Sequence, residues 1–298
     1  MAAKKATSTA KTSKVKTTKK TATVSTADPV TTTTRTKVVA KKITPKKDFK
    51  KDFFATNSPL MSASIAEFIG TFILASIFIL TRGEHLYLGF SVMALVMFIG
   101  ILSGAHLNPL VTVGAWATKK IRGMRAVAYV IAQILGAMVA FSVISAFVAA
   151  APTPDPATVA QGGAAAATVF SVLDISTLSD KHMYIFFAEL LGAAIFGMAF
   201  ASVLREKTSR VTSGLTIGFG YMLALLISGV AISYLGQGAS VILNPAVALT
   251  LGAIDWANIQ TQLWPFLVYI VSPILGGVIG FFVYDTLRAE GEMVSKEI

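Results

Sequence analysis

Hydrophobic and polar positions divide the 298-residue chain into alternating blocks. Long apolar runs cover about residues 61–80, 86–102, 126–149, 183–204, 211–232 and 264–287. Each is close to the ~20 residues that a helix needs to cross a hydrocarbon layer, so six membrane-spanning helices are predicted, the first starting near Ser58-Pro59. Two further apolar runs are too short to cross, and both carry an Asn-Pro pair: Asn108-Pro109 and Asn244-Pro245. Proline suits the first turn of a helix, where its missing N–H would be unpaired anyway, and the Asn before it can cap the same turn. A half-helix is therefore predicted from Asn108 to about Ala117, and another of about seven or eight residues from Asn244, before Gly252 and Asp255. A helix that starts inside a membrane leaves unpaired N–H groups and a partial positive charge, which are tolerable only against a water-filled or protein-lined cavity.

The two short runs are built alike. Ser103-Gly104-Ala105-His106-Leu107-Asn108-Pro109-Leu110 and Gly238-Ala239-Ser240-Val241-Ile242-Leu243-Asn244-Pro245-Ala246 both lead from small residues through an aliphatic into Asn-Pro. Upstream, Ala66-Glu67-Phe68-Ile69-Gly70-Thr71-Phe72 matches Ala188-Glu189-Leu190-Leu191-Gly192-Ala193-Ala194. This is an internal repeat, about 60–150 and 183–288, joined by a Pro- and Gly-containing loop over 151–182. Three spans per half make the halves inverted, and paired interrupted segments at matching places point to the pore or binding site. The predicted fold is all-α: six transmembrane helices and two re-entrant half-helices in two inverted repeats. Gly276 with Gly280, and Gly100 with Gly104, have the spacing that lets membrane helices approach closely. Trp256, Trp264 and Tyr284 are expected as anchors at the membrane interface.

Composition agrees with a membrane protein, at 54% hydrophobic and 14% charged residues. The absence of cysteine excludes disulfides, thiolate metal sites and cysteine nucleophiles. The net charge of +11 is confined to one end: Met1 to Asp52 holds 15 Lys and Arg against three Asp, which leaves 11 basic and 12 acidic residues for the rest. Residues 1–57 read as a disordered basic tail and 291–298 as a short C-terminal tail, flanking a channel-like domain over 58–290. Lys41, Lys42, Lys46, Lys47, Lys50 and Lys51 could hold anionic lipid headgroups at roughly 1 kcal/mol each, or nucleic acid through salt-sensitive contacts. With six spans, the tail, the Lys119–Arg125 cluster and the Arg205–Arg210 turn fall on one side, and the loop with Asp155, Asp174 and Asp180 on the other. The bias of Lys and Arg then predicts a multi-pass protein of the cell membrane with both termini cytoplasmic.

With the paired Asn-Pro half-helices and the Ala-Glu-Phe-Ile-Gly-Thr-Phe opening on the page, the chain resembles the aquaporin, or major intrinsic protein, family over roughly residues 60–288. The resemblance implies a six-helix channel whose half-helices meet at the bilayer midplane, each protomer of a homotetramer carrying its own pore among membrane lipids. No nucleophile–base pair, phosphate-cradling Gly loop or metal cluster stands in the sequence, so no cofactor, metal or enzymatic activity is expected. Asn108 and Asn244 would donate to the oxygen of a passing water or alcohol, while the facing half-helices disfavour protons and cations. Glu67 and Glu189 are ionisable groups inside spans, expected to bond the backbone N–H groups of the re-entrant loops. His106 is expected to support loop packing.

The sequence also departs from the family pattern. The first motif is Asn108-Pro109-Leu110 where the second is Asn244-Pro245-Ala246, so Leu110 adds bulk where the motifs would meet. The commoner pattern has an Arg three residues after the second Asn; here it is Val247. Matched by spacing, Leu88, Leu225 and Val241 complete an aliphatic selectivity ring with Val247. A fixed charge ~6 Å from a cation at an effective dielectric of ~20 is worth about 3 kcal/mol, roughly a hundredfold in barrier crossing, and this chain lacks it. The expected function is a passive channel for water or small uncharged solutes such as glycerol. Two rivals follow from the same features: an alternating-access transporter, which inverted repeats also build, and a non-conducting scaffold tethered by its tail.

Overall fold

The computed structural model describes residues 59–162, 166–173, 175, 180–206, 209–236 and 241–297. The expected basic tail over 1–57 lies outside the described residues, as do Asp174, Lys207 and residues 237–240 ahead of the second Asn-Pro pair. The helices are α1 (Pro59–Leu80), α2 (His85–Ser103), α3 (Pro109–Ala117), α4 (Gly123–Ala149), α5 (Pro156–Ala160), α6 (His182–Glu206), α7 (Arg210–Ser233), α8 (Pro245–Thr250), α9 (Leu263–Phe266) and α10 (Ser272–Glu297). Among the described residues, six helical stretches are long and apolar enough to cross a membrane, the last running through α9 and α10. No strand forms among them.

The inverted repeat is visible in the packing. α1 packs against α2 and α4; α6 packs in the same way against α7 and α10, and α2 meets α7 between the halves. The half-helices cross over: α3 lies on α10 and α8 lies on α4, each against the last span of the other repeat. Gly276 and Gly280 make the α6–α10 contact possible, because a Cβ on either would strike the Leu190 or Ala194 carbonyl. The other glycine pair does something else. Nothing lies closer than 3.8 Å to a Cβ built on Gly100, and Gly104 sits at φ 94° as the left-handed cap that stops α2. The chain must leave the helix there to enter the re-entrant loop, and glycine takes that conformation at no steric cost.

Three element ends differ from the pattern-based expectation. α8 has six residues, ended by Leu251 and by Gly252 at φ 76°. The last span is interrupted by a π-helical turn, Leu267–Val271. Pro273 follows this turn, has no N–H to give and would crowd a carbonyl one turn back, and the wider turn relieves both problems. The C-terminal segment expected as a tail continues α10 to Glu297, since it holds Glu, Met and Lys and no proline. Of the expected interface aromatics, Trp256 is exposed, while Trp264 stacks on His182 at 4.8 Å and Tyr284 donates its hydroxyl to Glu206.

The two ends of the bundle carry different polar contacts. At one end Lys120 binds both oxygens of Asp285 at 2.9 and 2.7 Å, Arg205 stands 3.9 Å from the same carboxylate, and Arg288 binds Glu206. At the other end Lys181 donates to the Leu235 carbonyl and Arg82 lies over the Phe170 ring.

Candidate functional site

Each re-entrant loop reaches its Asn-Pro pair through a non-glycine residue in the left-handed region: Leu107 at φ 53° and Leu243 at φ 49°. Such a residue costs roughly 1–2 kcal/mol and persists only where its neighbours hold it. Here the holders are carboxylates. Glu67 accepts from the His106 and Leu107 N–H groups at 2.9 and 2.7 Å, and Glu189 accepts from Ile242 and Leu243 at 3.0 and 3.1 Å. Both carboxylates are fully buried. Glu67 has a third donor, the Gln133 amide at 2.8 Å, which also donates to the Thr112 hydroxyl.

The same two leucines join the loops to each other. The Asn108 Nδ2 donates to the Leu243 carbonyl at 2.7 Å, and the Asn244 Nδ2 donates to the Leu107 carbonyl at 3.1 Å. The Oδ1 of Asn108 accepts from the Leu110 N–H, and that of Asn244 from Ala246 and Val247, so each side chain caps its own half-helix. An amide nitrogen has two hydrogens, and one on each Asn is spent across the loops. Carboxylate, strained leucine and opposing asparagine thus form one motif that occurs twice, with a two-fold relation between the copies.

Around this centre the expected site residues are placed as follows. Pro109 and Pro245 occupy the first helical position of α3 and α8. Leu110 is buried, and its side chain and carbonyl fill the space where Gly277 of α10 has no Cβ. Ala246 is buried as well. The His106 ring meets Tyr129 and Phe200 edge-on at 5.3 and 5.5 Å, with Nδ1 3.2 Å from the Thr112 hydroxyl. Leu225 and Val241 share the wall of an outer cavity of about 170 Å3, together with Arg82, Glu84 and His85. Leu88 and Val247 are buried at 0% and 1% exposure and are not among the residues that line that cavity.

Sequence reasoning missed a second set. A void of about 10 Å3 beside Asn108 and His106 is walled by Phe196 and Phe200 of α6 and Tyr221 of α7. Phe196 lies 4.6 Å from Tyr221 and 6.2 Å from Phe200, centre to centre, and the Tyr221 hydroxyl donates to the Ile242 carbonyl at 3.2 Å. Arg82, on the outer cavity, was also missed, since in sequence it is one charge in a short loop. The available signal was position: Phe196 is seven residues after Glu189, two helical turns along the face that carries the carboxylate.

The fold and this centre define an inverted-repeat membrane bundle in which two half-helices meet at paired asparagines. Residues 54–284 match the family model described as major intrinsic protein, and the chain belongs to that family. It is 28% identical over 265 residues to aquaporin AqpM of Methanothermobacter marburgensis, covering 78% of this chain and 99% of that one. It is likewise 28% identical over 239 residues to the glycerol uptake facilitator protein-like 6 of Lactiplantibacillus plantarum, covering 77% of this chain and all of that one. Among solved structures, the aquaglyceroporin from Plasmodium falciparum superposes with a TM-score of 0.56 at 22% identity, over 76% of this chain and 96% of that chain.

Proposed function

We propose that the chain is a passive channel for water and small uncharged solutes, with the paired asparagines at the centre of its path. The observation that carries this reading is the reciprocal bonding of Asn108 and Asn244 across the loops, which leaves each amide a second hydrogen to donate. A water or alcohol oxygen can accept from both. A cation finds donors and half-helix N-termini there, all of the wrong sign. Glu67 and Glu189 act in this reading as struts, their acceptor capacity directed to loop N–H groups rather than to a solute. His106 closes the packing between α4 and α6, and of the aliphatic ring Leu225 and Val241 line the outer cavity.

The relatives named aquaporin and glycerol uptake facilitator support transport of water, of glycerol or of both. Orientation with both termini cytoplasmic is part of the same reading, because Lys120, Arg205 and Arg288 gather at one end of the bundle. So is assembly as a homotetramer among membrane lipids, with the tail reaching anionic lipid or nucleic acid. The test is stopped-flow light scattering on proteoliposomes, with an impermeant osmolyte for water and re-swelling for glycerol and urea. Water flux above empty liposomes with a low activation energy is the expected result. Equal conductance of sodium and water, or saturable ion-dependent flux, would sink it.

A further inference from the structure

We propose that the narrowest point of the path is an aromatic collar of Tyr221, Phe196 and Phe200 beside Asn108, and that Tyr221 there sets which solutes cross. The inference rests on the channel reading and moves the point of selection from the aliphatic ring to the collar. Leu225 and Tyr221 lie four residues apart on α7, so they stand one turn from each other on one helix face. The cavity at Leu225 measures about 170 Å3; the void at Tyr221 measures about 10 Å3. A volume of ~10–15 Å3 on this measure holds a single water. The path therefore narrows to about one water over a single helical turn, with the three aromatics on one part of the wall and Leu74, Val92 and Leu107 on the rest.

Tyr221 also occupies an acceptor. Glu189 takes the Ile242 N–H, and the Tyr221 hydroxyl takes the Ile242 carbonyl, two residues before Asn244. A hydroxylated solute passing the asparagines would use that carbonyl. At 3.2 Å the bond is longer than the ~2.7–2.8 Å usual for O–H···O, so a competing donor displaces it readily. Phe196 packs on the ring at 4.6 Å and Phe200 backs Phe196, which keeps the collar from widening by a simple rotation of Tyr221. The solute class this collar passes is water-sized, with three-carbon polyols held back.

A buried tyrosine that served packing alone would also bond its hydroxyl, so the test must read permeability rather than stability. The full-length protein and its Tyr221→Val, Tyr221→Phe and Phe196→Leu variants are reconstituted in liposomes, each checked for a folded elution profile. The glycerol-to-water permeability ratio is then measured. Tyr221→Val or Phe196→Leu should raise it on the order of tenfold, a factor equivalent to about 1.4 kcal/mol of barrier. Tyr221→Phe keeps the ring and should leave the ratio within about twofold. A silent wild type with a conducting Tyr221→Val also supports the collar, as a closed one. Wild-type water flux with an unchanged ratio in Tyr221→Val and Phe196→Leu overturns the collar and leaves the channel reading standing. No flux from any folded form overturns both.

Discussion

Replacing Glu189 by Gln tests whether the carboxylates hold the re-entrant loops. Glu189 accepts two backbone N–H groups, one on each oxygen, at 3.0 and 3.1 Å in a fully buried setting. A glutamine keeps one acceptor and turns an NH2 group toward the other N–H. The loss is one charge-assisted bond at ~1.5–3 kcal/mol, with a further ~1–3 kcal/mol for the backbone donor left unpaired. The expected cost is about 4 kcal/mol, or roughly 10 °C in thermal midpoint for a chain of this size. Glu67→Gln should be milder, although Glu67 has three donors. The Oε1 of Gln133 is buried without a partner, so that amide can turn over and offer its oxygen to the new NH2, while the Thr112 hydroxyl becomes the donor. The recovery of one bond is worth about 1 kcal/mol, or ~3 °C. The assay is thermal unfolding in detergent by tryptophan fluorescence. A Glu189→Gln midpoint equal to wild type, or a Glu67→Gln midpoint below that of Glu189→Gln, would refute the reasoning.

Other outcomes can be checked with the same preparation. Gly277→Ala places a Cβ 2.9 Å from both the Leu110 Cδ1 and the Leu110 carbonyl, and should cost ~1–3 kcal/mol. Adding Leu110→Ala removes the first clash and not the second, so the double variant should recover part of the loss, and strict additivity in thermal midpoints would contradict that contact. Asp285→Asn deprives Lys120 of a partner that is 22% exposed, which predicts a loss of about 1 kcal/mol that fades as salt is raised toward 1 M; a loss independent of salt would speak against an ion pair. Asn244→Asp retains the Oδ1 cap on Ala246 and Val247 but puts a negative charge where the loops meet. Sodium uptake into liposomes should then rise on the order of a hundredfold, from about 3 kcal/mol at ~6 Å and a dielectric of ~20. A folded variant with no sodium leak would show that the site does not lie on the path.

Much of the architecture was legible from pattern alone. Apolar runs of the right length located six spans, and Asn-Pro pairs placed two half-helices, because proline and a capping Asn act on the adjacent turn. The matching of Glu67 with Glu189 was legible for a related reason: a carboxylate in an apolar run stands out wherever it lies. Less was readable at element ends. Gly104 looked like half of a packing motif and proved to be a helix stop, since spacing does not say which neighbour a glycine faces. Pro273 widened its helix into a π turn that apolar periodicity does not register.

What the sequence by itself determined is the set of local structures: spans, half-helices and an inverted repeat. These follow from burial, capping and chain direction, which act between residues near in sequence. What only the tertiary structure decided is the centre. Asn108 bonds the Leu243 carbonyl and Asn244 the Leu107 carbonyl, contacts more than 130 residues apart in the chain. Leu110 fits against Gly277, and Phe196, Phe200 and Tyr221 line a void of about 10 Å3. In a linear reading those aromatics are ordinary members of apolar helices. Whether an aromatic faces lipid, a neighbouring helix or the central path depends on how each helix is rotated about its axis, and packing between distant segments sets that rotation.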